Sequence, residues 1–152
     1  MGMQEYRDIL ESACATEPAW SAENIFLGKP VYSNDVPVWI QYFEPVDLCR
    51  IVVDLGPLDG EFQPTIWRMM LESNCTNTSS LLPFLSINPA NGHAILVMHL
   101  SIDAFRKHAS ESSFTSFLDK SLEPVVTSWR KGTDAIFSFS HADGQMLGGG
   151  FA

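Results

Sequence analysis

The chain has 152 residues, 45% of them hydrophobic and 18% charged, which fits one globular domain and excludes global disorder. Eighteen acidic against nine basic residues leave a net charge of −9. Such a surface repels phosphate backbones and anionic lipid, so neither nucleic acid nor a membrane surface is an expected partner, and no stretch approaches the ~20 apolar residues of a spanning helix.

The opening MGMQEYRDIL has no basic region followed by an apolar core, so no secretory signal is expected. Tyr6 stands where a myristoylation motif needs Ser or Thr. Cys14, Cys49 and Cys75 are odd in number and lack C-x-x-C spacing, which points to free thiols in a reducing compartment. A cytoplasmic location is the expectation.

Met3 to Ala15 reads as an amphipathic helix, with Met3, Tyr6, Ile9, Leu10, Ala13 and Cys14 on one stripe. Pro18 closes that region. Three strand candidates follow. Ile25 to Ser33 is interrupted by Gly28 and Pro30, which mark an edge or bulged strand. Val36 to Phe43 alternates, with Val36, Val38, Ile40 and Tyr42 opposite Trp39, Gln41 and Phe43, after a hairpin turn at Ser33-Asn34-Asp35. Leu48 to Leu55 sets Cys49, Ile51, Val53 and Leu55 against Arg50, Val52 and Asp54, and Glu44-Pro45 separates the two strands.

A second helix starts between Glu61 and Gln63, since Pro64 is comfortable only in a first turn. Phe62, Ile66, Met69 and Met70 recur at helical spacing with Trp67 on the flank. Asn74 to Ser80 reads as a polar loop. Its N-x-[ST] matches at Asn74 and Asn77 read as chance without a secretory signal. LLPFLSINPANGHAILVMHLS then gives a hairpin of two apolar runs joined by Pro89-Ala90-Asn91-Gly92, where Asn-Gly tolerates positive φ at both residues. A short turn at Asp103 to His108 precedes a helix capped by Ser112 or Ser113, with Phe114, Phe117, Leu118, Leu122, Val125 and Trp129 as its stripe. Pro124 predicts a kink or early end there, and Lys131-Gly132 a stop. Residues 132–152 read as a flexible glycine-rich tail holding an apolar island at Ile136, Phe137 and Phe139. The order is helix, three strands, helix, two strands, helix: an α+β domain over 1–131 with an antiparallel twisted sheet packed with helices.

Little in the chain looks reactive. His93, His99, His108 and His141 show no metal-ligand spacing, and His93 and His99 lie roughly 20 Å apart along a strand. Asp54, Asp47 and Glu44 lie near strand ends without a matched base or nucleophile motif, and no P-loop or G-x-S-x-G occurs. Cys49 alternates into an apolar face, which suits an inert thiol. No catalytic, metal or cofactor site is expected.

The order of elements resembles the class I type III secretion chaperones, the Tir-chaperone-like family, over about residues 3–130. The resemblance is carried by a helix ending MMLESN, a polar loop, the strands LLPFLSINPANG and HAILVMHLS, and a last helix ending VVTSW with Trp129 near its close. Met69-Met70 stands where leucines are common in that family, and the segment after Lys131 is extra. The resemblance implies a homodimer, active without ATP or metal, that holds the N-terminal segment of a secreted effector extended and secretion-competent. It implies that the second helix supplies the dimer contact, with Phe62, Ile66, Trp67 and Met70. The first helix and first three strands would supply effector-binding surface through Tyr6, Ile9, Leu10, Val38, Trp39, Ile40, Tyr42 and Phe43.

Each assignment has an ordinary competitor. The second helix has one core face in any case, and only Trp67 and Met70 widen its stripe. Tyr6, Ile9 and Leu10 could simply pack on the sheet. Val36 to Phe43 is apolar on both faces, which means either double coverage or a partner on the second face. Two other classes of function stay open: a small ligand-binding or enzymatic domain with a helix–sheet pocket, and a structural adaptor of a secretion apparatus.

Overall fold

The computed structural model describes residues 2–58, 60–76, 83–111 and 114–146, with residues 110, 111 and 134–146 described by backbone alone. Helix α1 (Met3–Cys14) buries Tyr6, Ile9, Leu10 and Ala13. The segment expected as a weak first strand is mostly helix instead. Ser21 caps α2 (Ala22–Phe26), its Oγ accepting from the Asn24 N–H at 3.2 Å. Gly28 at φ +75° and Lys29 then send their N–H groups back to the carbonyls of Ile25 and Asn24. That is a Schellman stop, with Pro30 just beyond it. Gly28 and Pro30 are therefore helix punctuation rather than strand interruptions.

Strand β1 is left with only Val31–Ser33. Asn34 and Asp35, both at positive φ, form the tight turn into β2 (Val36–Phe43). A 3-10 turn at Glu44–Val46 and a left-handed Asp47 lead to β3 (Leu48–Gly56). Helix α3 (Gln63–Thr76) has Pro64 in its first turn, and it carries Asn74 to Thr76 as helix where a loop was expected. β4 (Phe84–Ile87) and β5 (Ala94–Ser101) form the hairpin. Its connection is a four-residue loop in which the Gly92 N–H reaches the Asn88 carbonyl at 2.8 Å. The loop is the expected Pro89-Ala90-Asn91-Gly92, although only Gly92 of the Asn-Gly pair takes a positive φ.

Helix α4 (Ile102–Glu111) is longer than the expected turn. Helix α5 (Phe114–Met146) runs through both Pro124 and Lys131-Gly132. The expected stop at Gly132 is not made, and its reason is packing. A Cβ at Gly132 would sit 3.3 Å from the Met69 sulfur, so the missing side chain leaves room for the Met69 side chain of α3. The expected caps Ser112 and Ser113, the Asn77 match, and residues 147–152 lie outside the described residues.

The sheet is antiparallel throughout, in the order β1-β2-β3-β5-β4. The chain is α+β. All helices that pack on the sheet do so from one face. Val38, Ile40, Cys49, Ile51, Val53, Leu96, Met98 and Leu100 meet α1, α4 and α5 there. Phe105 and Phe114 join edge to face at 4.5 Å in the middle of that core. A second, small cluster joins Ile66 and Met70 of α3 to Ala94 and Trp129. Asn74 fixes α3 to the sheet. Its amide accepts from the Leu85 N–H at 2.7 Å and donates to the Leu85 carbonyl at 3.0 Å, which gives β4 the hydrogen bonds of one more strand residue.

Candidate functional site

Two surfaces carry the residues that the resemblance points to. The first is α3. Ile66 and Met70 are 1% and 3% exposed and face this chain's own sheet, so their side chains are core rather than contact surface. Phe62 packs against the same cluster. Trp67 alone of the four stands out, 45% exposed, and one turn on is Leu71 at 70%. Trp67 and Leu71 share a helix face by their i, i+4 spacing. Leu71 was missed in the sequence, although that spacing was there to find it. The apolar stripe of α3 is wide because it is two faces, one inward and one outward.

The second surface is the end of β2. Ser33↔Val36 closes the hairpin and Val31↔Val38 is the last pair to β1. By strand alternation, the main-chain groups of Ile40 point to that same outer side, where β1 no longer runs. The chain has left at Lys29-Pro30, and no strand covers β2 from Trp39 to Phe43 among the described residues. The Ile40 carbonyl accepts from the Tyr6 hydroxyl at 3.2 Å. Tyr6 in turn stacks on Tyr42 with ring centroids 5.1 Å apart. Burial, with the nearby Cys49 and Cys14 thiols, raises the Tyr6 hydroxyl pKa well above its usual 10, so it stays a donor. The Tyr42 hydroxyl donates to Asp47 at 2.7 Å, and mainly this hydrogen bond pushes it up to about 12.

Around this edge lies a groove of about 600 Å³. Tyr6, Ile40 and Tyr42 form its floor, and Met3, Leu27 and Phe43, all exposed, stand at its rim. Four of the eight residues expected to bind a partner thus meet at one place: Tyr6, Ile40, Tyr42 and Phe43. Ile9, Leu10 and Val38 do not reach it and are plain core. Trp39 lies half-buried on the helix-free face of the sheet. Phe26 and Leu27 were missed as groove residues because α2 was read as strand, and Met3 was read only as part of the apolar stripe of the first helix.

Helix–sheet pockets, the mark of the competing ligand-binding reading, also exist. One of about 580 Å³ lies between α3 and α5, lined by Met69, Met98, Phe117 and Trp129 with His108 at one side. Another of about 460 Å³ holds His93, whose Nδ1 lies 2.9 Å from the Asp54 carboxylate. Asp54 also accepts from the Gly56 N–H at 2.8 Å, so it braces the β3–β5 end. No Ser or Cys nucleophile lines this second pocket among its described residues. Burial pushes the Cys49 thiol up to about 12, with the Asp47 charge adding to it, which leaves it un-ionised at neutral pH. No group of three metal-ligating side chains occurs among the described residues, and no helix among them is long and apolar enough to cross a membrane.

No protein-family model matches the chain, and no curated protein matches it.

Proposed function

We propose that this chain is a dimeric secretion chaperone that holds an extended segment of a partner protein along the outer edge of β2. The observation that carries this reading is the strand-free edge from Trp39 to Phe43 beside an apolar groove. An extended segment gains main-chain hydrogen bonds at such an edge, and alternate side chains find the groove. Five residues of strand offer about 17 Å of pairing length. Burying apolar area at roughly 25 cal/mol per Å² offsets part of the ordering entropy of the bound segment. The outward Trp67 and Leu71 of α3 suit contact with a second copy. The element order behind the family resemblance, to which the five-residue α2 and the ten-residue α4 are added, supports the same reading. The net charge of −9 keeps such a complex soluble.

The test is co-expression with the N-terminal segment of the neighbouring gene's product, followed by size exclusion with light scattering. The expected species is two copies of this chain with one partner segment. Leu27→Asp should lose the segment while remaining folded. Trp67→Asp should yield monomer at low micromolar concentration. A wild-type chain that elutes as a monomer and ignores the segment defeats the proposal, and attention then moves to the pocket between α3 and α5.

A further inference from the structure

The face of the sheet turned away from the helices is built in rows. Pairing across β2, β3, β5 and β4 places Trp39, Val52, Val97 and Phe84 side by side. The adjacent row is Gln41, Arg50 and His99. Rows on one face lie roughly 7 Å apart, and the apolar row spans roughly 14 Å across four strands. Ile95 and Val97 are buried on this face yet belong to neither of the helix-side cores. Phe84 and His99, by contrast, are exposed.

Arg50 is the odd residue there. It sits in the middle of β3, where an aliphatic side chain would serve the sheet better. Its Nε is buried and has no hydrogen-bond partner, and no ion pair holds the guanidinium among the described residues. Its one neighbour of note is the Phe43 ring, 5.8 Å away. A guanidinium nitrogen withdrawn from water without an acceptor is unfavourable, so an acceptor that reaches this half-buried side chain is favoured there. The acceptor that matches the guanidinium fork is a carboxylate.

We propose that this face docks a partner protein segment bearing a carboxylate beside an apolar run, with Arg50 pairing with the carboxylate and Trp39, Val52 and Phe84, which flank the buried Val97, taking the apolar side chains. The inference rests on the reading of the chain as a holder of partner segments, and it names the chemistry such a segment needs. Phe43 lies on both the groove and this face, so one segment can pass from the β2 edge onto the sheet. The overall charge of −9 repels acidic ligands, which makes selection for an acidic segment a local property of Arg50. A second copy fits poorly, because a two-fold axis near the centre of the face would set Arg50 against its own equivalent.

The experiment is calorimetric titration with two amphipathic peptides that differ only by Glu or Gln beside the apolar stripe. Wild type should bind the Glu peptide about tenfold or more tightly, the size of a hydrogen bond to a charged group. Arg50→Gln should erase that preference and leave the Gln peptide's affinity unchanged. Val52→Asp should weaken both, and Lys120→Ala, on the exposed side of α5 across the sheet from this face, should alter neither. Equal binding of the two peptides by wild type, or a preference that survives in Arg50→Gln, overturns the inference, as does an acid-independent self-association lost in Val52→Asp. The parent reading is scored separately by co-expression. If the neighbouring segment is captured equally by wild type and Arg50→Gln, the inference falls and the chaperone reading stands. If no segment is captured and neither peptide binds, both fall together.

Discussion

Among the described residues the molecule has two cores of unequal weight, both on the same face of one sheet. The large one packs α1, α4 and α5 over the middle strands around Phe105, Phe114, Leu118 and Leu122. The small one holds α3 with Ile66, Met70, Ala94 and Trp129, helped by the Asn74 amide on Leu85. The helix held by the smaller cluster also exposes Trp67 and Leu71. The difference teaches that the large core fixes the fold, while α3 has a modest hold on the sheet and an apolar face still to cover. Local stability follows buried apolar contact, so α3 with β4 should open before the rest.

Substitutions can break that comparison. Phe114→Ala should cost about 3–5 kcal/mol, whereas Ile66→Ala should cost nearer ~2 kcal/mol because the small cluster collapses more readily. Urea midpoints measure both, and equal losses would mean one continuous core. Asn74→Ala should cost about 1–3 kcal/mol by orphaning the Leu85 main-chain groups. Hydrogen exchange should place the faster amides in α3 and β4 alone, and a uniform rise would deny that α3 and β4 open as a unit.

Alkali should act on the other core. Cys49 has a folded pKa of about 12 against an ordinary 9.0, and Tyr6 is raised as well. A raised pKa stabilises the folded state fully below the unfolded value, and that stability falls as pH climbs from 9 toward 12. The slope from Cys49 is on the order of 1 kcal/mol per pH unit. Cys49→Ala should flatten it, as read by unfolding at stepped pH. The smallest effect belongs to the helix contact. Gly132→Ala should stabilise by up to ~1 kcal/mol, since helix propensity rises and the flexible end of Met69 can yield. A clear loss in melting temperature would show that the Met69 contact is rigid.

Where one face of a segment is buried, its sequence told the truth. Val36 to Phe43 and the first helix were legible to within a residue, because alternation and helical spacing report burial directly. The failures share a cause. Gly28, Pro30 and Gly132 are residues whose meaning depends on what lies across from them. Gly28 and Pro30 end a helix instead of breaking a strand, and Gly132 makes room for Met69 instead of ending α5. The site was legible only in part for a related reason. Apolar residues that line a core and those that rim a groove look alike in one dimension, so Tyr6 and Ile40 were grouped with Ile9 and Val38. Leu27 went unnoticed.

The Asn74 amide has a consequence for growth. A sheet polymerises edge to edge only if each unit offers two free edges, one to give and one to receive. Here β4 has a side chain seated on its rim at Leu85, whereas β2 is unpaired on its outer side beyond Val38 among the described residues. Strand addition is therefore easier at the β2 end than at Leu85. A strand that joins at β2 meets no matching open rim at Leu85 of the next molecule, which works against head-to-tail growth into a fibre.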